Sequence, residues 1–185
     1  MFFELGYRVH PSVGGPAALA GLAPLAGTYK LGGFYDSGQF EDNGGRGLHR
    51  GNHGCYFVAE QEIWHPEGKA TRALAFFGRV GVAPDDRNTV PLYFDTGFDF
   101  RGILPSHVDD TLGLGFSYTQ VSDGLADKGG IEIGGGYEGV AELTYRMSLG
   151  EHVFLQPDLQ FIIHPGAVES AATAVVAGLR LNIHY

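Results

Sequence analysis

The sequence holds a single cysteine, Cys55, among 185 residues, so no disulfide framework can staple it from within. Only 18% of its residues are charged, 12 basic against 21 acidic, for a formal net charge of −9. A nucleic-acid binder needs a basic face, and that balance excludes one. Long hydrophobic runs are also missing. No stretch approaches the roughly 18 to 20 apolar residues of a membrane-spanning helix, and the longest weakly polar run, 17–27, is broken by Pro24 and two glycines. The N-terminal Met-Phe-Phe-Glu-Leu has no basic region, apolar core or cleavage site, so no secretory signal is expected in this chain. What is abundant is glycine, 30 residues, without the three-residue period of collagen. With 44% hydrophobic and 12% aromatic residues, the chain is too apolar for disorder. The length reads as one domain, 1–185.

The dominant period is two, which is the period of strands. At the C-terminus Val175, Ala177, Leu179, Leu181, Ile183 and Tyr185 alternate with Val176, Gly178, Arg180, Asn182 and His184. The same alternation marks Leu74–Val82, Leu92–Arg101, Leu112–Gln120, Val140–Ser148 and Phe154–His164, and more noisily Phe2–Val9, Thr28–Asp36 and Cys55–Trp64. This predicts an all-β, antiparallel fold of about nine strands and no helix. Pro157 lies inside one strand, where it removes a ladder donor.

Connections alternate in length as well. Asp36–Gly54 and Ser122–Tyr137 are long and glycine-rich; His65–Thr71 and Gly150–His152 are short. Long loops at one end and short turns at the other are the plan of an outer-membrane β-barrel. The alternative is a soluble β-sandwich, such as a carbohydrate-binding module, whose apolar face points to a core. Three features favour the barrel. Aromatics crowd the strand ends on the apolar face, among them Tyr7, Tyr29, Tyr35, Phe94, Phe100, Tyr118 and Tyr145, as interfacial girdles require. The other face is bulky and mixed in charge, as a watery lumen requires. The last strand stops on Tyr185, an aromatic in phase with the apolar face, which reads as an assembly signal.

Local motifs then carry a family resemblance. They are Gly27-Thr-Tyr-Lys-Leu-Gly-Gly-Phe-Tyr35, Gly54-Cys-Tyr-Phe-Val-Ala-Glu-Gln61, Phe76-Phe-Gly-Arg79, Asp86-Arg-Asn88, Glu142-Leu-Thr-Tyr-Arg146 and Leu155-Gln-Pro-Asp-Leu-Gln-Phe-Ile-Ile-His-Pro-Gly166. Over 27–185 the chain resembles the C-terminal half of the carbohydrate-selective porins, the OprB family, and the place of Pro157 inside the last of these motifs implies a bulge there. The resemblance implies a transmembrane barrel of 16 strands in the bacterial outer membrane, passing monosaccharides such as glucose through a narrow pore. Nine strands are roughly half of that barrel, and an open sheet exposes two unpaired edges to lipid, which is prohibitive. The chain is therefore expected to be a fragment, to complete a barrel with another chain such as an N-terminal half-barrel, or to close differently; outer-membrane lipid and a homo-oligomer are the further partners expected.

Sugars carry many hydroxyls and have apolar ring faces, so a pore selecting them needs donors, acceptors and aromatic surface. The polar series supplies Glu60, Glu62, Asp95, Glu142 and Asp158 as acceptors, Arg79, Arg101, Arg146 and Arg180 as donors, and Gln156 and Gln160 as amides. Tyr56, Trp64 and Tyr93 are the aromatics expected on this side. Arg79, Glu60, Glu142, Arg146 and Asp158 fall mid-strand and are expected at the narrowest region. The plainer reading, ion pairs that only brace the wall, stands beside that one. His49 and His53 have the i, i+4 spacing of a zinc pair but lie in a glycine-rich loop rather than on a helix. No calcium loop, nucleophile elbow or phosphate loop occurs, and nothing pairs Ser117 with His107 for hydrolysis. No metal, cofactor or enzymatic activity is expected.

Overall fold

A computed structural model describes residues 1–10, 25–66, 72–125 and 136–184. Nine strands follow one another as β1 (Phe2–Val9), β2 (Gly27–Glu41), β3 (Leu48–Trp64), β4 (Ala73–Val82), β5 (Leu92–Arg101), β6 (Thr111–Gln120), β7 (Tyr137–Ser148), β8 (Val153–Ile163) and β9 (Ala174–Ile183). Each pairs antiparallel with the next, so sheet order equals chain order and β1 and β9 are the two edges. The all-β, nine-strand expectation holds. Strand connections fall alternately at a loop end (β2–β3, β4–β5, β6–β7, β8–β9) and a turn end.

The sheet is one layer. Among the described residues Ala167 is the only buried apolar one, while Leu31, Phe57, Phe98, Leu114, Leu143, Phe161 and Leu179 are all exposed. A soluble sandwich buries such residues against a second sheet; among the described residues nothing protein-made covers the apolar face. On that face the aromatics meet ring to ring, two of the pairs stacked. Phe94 lies 6.0 Å from Phe116 and 5.3 Å from Tyr118, Tyr118 lies 5.1 Å from Tyr137, and Tyr137 lies 4.8 Å from His164. This chain of rings crosses β5, β6 and β7 near the loop end. Phe100 and Tyr145 stand about 20 Å further along their strands, at ~3.3 Å per residue, and mark a second band near the turn end.

Trp64 joins that second band, contrary to the alternation. The β3–β4 register shifts by one residue between Glu62 and Trp64, so that Trp64 pairs with Leu74. An extra residue in one strand reverses the facing of whatever follows it. Trp64 thus leaves the polar face and stands with Leu74 on the apolar one. Pro157, by contrast, makes no bulge. The β7–β8 register is the same on either side of it, Thr144 with Asp158 and Met147 with Leu155, and only the pairs between them are missing. On its other side Pro157 pairs in step with Leu179. The ring replaces one donor and leaves the alignment intact.

The segment 36–54, expected as a loop, is mostly strand. β2 and β3, at 15 and 17 residues, are the two longest strands. Pairing resumes beyond a shift between Asp36 and Gln39, through Glu41 with Leu48. Only the tip 42–47 turns. There Asp42 accepts from the Gly44 and Arg46 amides, at 2.8 and 3.3 Å. Tyr185 and most of the 122–137 connection lie outside the described residues.

Candidate functional site

Residues paired across neighbouring strands point to the same face, so the register assigns each candidate a side. Glu60, Glu62, Arg79, Asp95, Arg101, Glu142, Arg146, Asp158, Gln160 and Arg180 all share the polar face. They are ordered into rows across the strands. Arg101 is aligned with Thr111 and Arg146, and Arg180 with Gln156 beside them, forming a guanidinium row near the turn end. One row inward, two residues or ~6.6 Å along the strands, stand Glu62, Asp99 and Asp158, aligned through Ala75, Gly113 and Thr144. Arg146 was expected mid-wall; it sits in the outer row, its guanidinium 4.1 Å over the Phe154 ring.

The centre of the face is a groove of about 300 Å³ lined by Phe77, Arg79, Tyr93, Asp95, Asp99 and Glu142 over a floor that includes Gly113 and Gly115. Glycine is what makes it concave. The Phe77 ring lies across Gly97, where a Cβ would come within 2.6 Å of the ring and 2.2 Å of the Leu114 carbonyl oxygen. Any larger residue would lift the ring and part β5 from β6.

Arg79 is fixed by Asp95. Its Nε donates to Oδ1 at 2.9 Å and Nη2 to Oδ2, while the Tyr93 hydroxyl donates to Oδ2 at 2.7 Å. Asp95 is thereby buried, with 6% of its surface exposed. It was read as an acceptor for sugar, but its lone pairs are taken up by Arg79 and Tyr93, and it acts as a support. The Arg79 side chain stays 57% exposed, with Nη1 free of partners among the described residues. A planar fork held on one side and open on the other is a preorganised donor.

Across the groove Glu142 accepts from Gln160 Nε2 at 3.0 Å through Oε2. Its Oε1 has no partner among the described residues. Asp158 lies over Gly178, whose missing side chain leaves the space. Glu62 is engaged by His65 at 2.6 Å, and Glu60 is exposed, with no hydrogen bond or ion pair among the described residues. The groove therefore offers one guanidinium donor, two carboxylate acceptors (Asp99 and Glu142) and one apolar ring. Phe77 and Asp99 were missed as site residues. Phe77 is the one large apolar residue on its face of β4, beside Ala73, Ala75, Arg79 and Gly81, and that was the signal that could have found it.

Outside the strands, two carboxylates are held in ordered connections. At the turn end Asp110 is buried, which pushes its carboxyl up, but the Ser148 amide at 2.9 Å, the Tyr145 hydroxyl at 2.7 Å and nearby His107 outweigh this and hold it below the usual range. At the loop end Asp42 is held well below that range, chiefly by His49 and further by Arg46 and Gly44. Among the described residues no group of His, Cys, Asp and Glu has the arrangement of a metal site.

The family model described as "Carbohydrate-selective porin, OprB family" matches residues 1–185. Porin B of Pseudomonas aeruginosa is 27% identical over 145 residues, 70% of this chain and 32% of that protein. Porin AaxA of Chlamydia pneumoniae is 29% identical over 111 residues, 60% of this chain and 25% of that one. The high-pH structure of Pseudomonas putida OprB superposes with a TM-score of 0.80 at 25% identity, covering 98% of this chain and 47% of the other. The low-pH structure of the same protein gives 0.62 at 20% identity, a likeness of fold alone. The matches thus span a quarter to a third of the curated relatives and about half of the solved chains.

Proposed function

Because the chain belongs to the OprB family of carbohydrate-selective porins, we propose that its nine strands form part of the wall of a bacterial outer-membrane barrel that passes monosaccharides such as glucose. The observation that carries this reading is the contrast between the two faces. One is apolar, aromatic-banded and uncovered; the other holds a glycine-floored groove with a guanidinium, carboxylates and a ring. The first face suits lipid and the second suits a hydroxyl-rich solute in water. The polar side chains of that face, Glu60, Glu62, Arg101, Arg146, Asp158, Gln160 and Arg180 among them, line the water-filled side. Unpaired edges are untenable in lipid, so β1 and β9 pair with strands of a preceding half-barrel or of another chain. The soluble carbohydrate-binding alternative lacks a second layer to cover the apolar face.

In this reading the sugar ring rests on Phe77, its hydroxyls accept from Arg79 and donate to Glu142 and Asp99. Solute passes by diffusion through a shaped, polar space, and no bond is made or broken. Liposomes carrying the closed barrel, this chain together with the strands that pair with β1 and β9, are expected to swell in iso-osmotic glucose, at a rate that saturates with concentration. Phe77→Ala removes the apolar platform and should raise the half-saturating concentration about tenfold, the ratio for roughly 1.4 kcal/mol. Swelling no faster than that of protein-free liposomes would overturn the assignment.

A further inference from the structure

The long β2–β3 hairpin does not end free. Its tip is tied across the loop end to two other connections. The Asn43 amide donates to the Asp86 carbonyl at 2.7 Å. The Asn43 side chain donates to the carbonyls of Asp85 and Asn88, both at 2.8 Å, and lies 3.0 Å from Ser122 Oγ. Arg87 donates back to the Gly51 carbonyl at 2.6 Å. Asn52 and Asn88 exchange side-chain hydrogen bonds at 2.9 and 3.0 Å. Ser122 belongs to the β6–β7 connection, so the hairpin reaches past β4 and β5 to a third loop. Nothing in passive diffusion requires this.

At the joint stands His49. Its Nε2 is 2.7 Å from Asp42 on the hairpin's own tip, and its Nδ1 is 3.5 Å from Asp86 on the β4–β5 loop. A neutral imidazole has one N–H and one lone pair, so it can donate to only one of two carboxylates and turns its lone pair to the other. The protonated ring donates toward both. We propose that the β2–β3 hairpin is a strap over the loop-end rim whose closure is tightened by protonation of His49.

The other charged groups at the joint keep their charge over the relevant range. Asp42 is held well below the ordinary carboxylate range, first by His49. Asp86 is lowered chiefly by Arg87, and Arg87 is raised by Asp86. Arg46 flanks Asp42 from the tip, at 3.4 Å. The β6–β7 connection meets the tip through Ser122 and Gly124, which carry no charge, and brings one carboxylate, Asp123, between them. Between pH 5 and 8, histidine is the side chain that ordinarily titrates, and His49 is the one between the carboxylates. The extra attraction is present at the acid side and lost as pH rises. The strap does not depend on which solute crosses.

Hydrogen–deuterium exchange on the detergent-solubilised protein reads this out. After correction for intrinsic rates, the segment 42–50 should be about threefold more protected at pH 5 than at pH 8, in proportion to one partly exposed ion pair. His49→Gln and Asp86→Asn, which act on opposite sides of the joint, should each abolish the difference. The segment 111–120 in β6 should show none and serves as reference. Equal protection of 42–50 at both pH values overturns the proposal. So does a difference that survives either substitution, or one that β6 shares.

Discussion

Leu143→Arg lowers the stability of the bilayer-folded protein by about 2–4 kcal/mol, the depth-dependent cost of a cation on the lipid face of a barrel. Leu143 stands mid-strand in β7, in register with Leu114 on one side and Leu159 on the other. It is 44% exposed. That number gives opposite answers in two solvents. In water, a half-exposed leucine on a sheet tolerates arginine within about 0.5 kcal/mol. In lipid, the guanidinium loses its hydration unless it can snorkel, and mid-strand it has the furthest to reach. Urea unfolding in vesicles, followed by the fluorescence of Trp64, measures the difference. A change under half a kcal/mol would remove the lipid from that face.

Asp95→Ala is the second large effect, and it acts on the opposite side of the sheet. The substitution releases two Arg79 hydrogen bonds and one from Tyr93. Hydrogen bonds to charged groups are worth roughly 1.5–3 kcal/mol, and the half-exposed Arg79 can recover part of that from water. The expected loss of stability is about 2 kcal/mol. It should shrink in an Arg79→Ala background by at least about 1 kcal/mol, because neighbours sharing hydrogen bonds do not add. A glucose half-saturating concentration raised about tenfold should accompany it, since a freed guanidinium no longer points into the groove. Additive stability losses would mean that Asp95 does not hold Arg79. An unchanged half-saturation with coupled stabilities would leave the support intact and separate it from sugar binding.

The strands were legible because a sheet with one apolar and one polar face must alternate, and alternation survives in the sequence of each strand alone. The candidate polar residues were assigned to the correct common face for the same reason. What alternation cannot register is an added residue. Trp64 was assigned to the polar side by parity, and one shift in the β3–β4 register reverses it. Asp95 looked like a free acceptor because its partner, Arg79, lies across a strand pair. The strand character of 36–54 was hidden by glycine, asparagine and histidine, which locally favour turns. Its order comes from residues far along the chain, Asp85, Asn88 and Ser122. The bulge at Pro157 was implied by its place in a family motif; continuous pairing with β9 keeps the register there instead.

The rows on the polar face have one further consequence, which concerns range. Guanidiniums of Arg101, Arg146 and Arg180 stand ~6.6 Å along the strands from the carboxylates of Glu62, Asp99 and Asp158. At physiological ionic strength the screening length is about 8 Å. The separation is shorter than the screening length, so an ion further off meets neither row singly. It meets their difference, a double layer whose field largely cancels outside and is strong only between the sheets of charge. These two rows together neither recruit nor repel ions over distance. They act at contact range, where a dipolar, uncharged molecule can align its hydroxyls with a field that reverses within its own length.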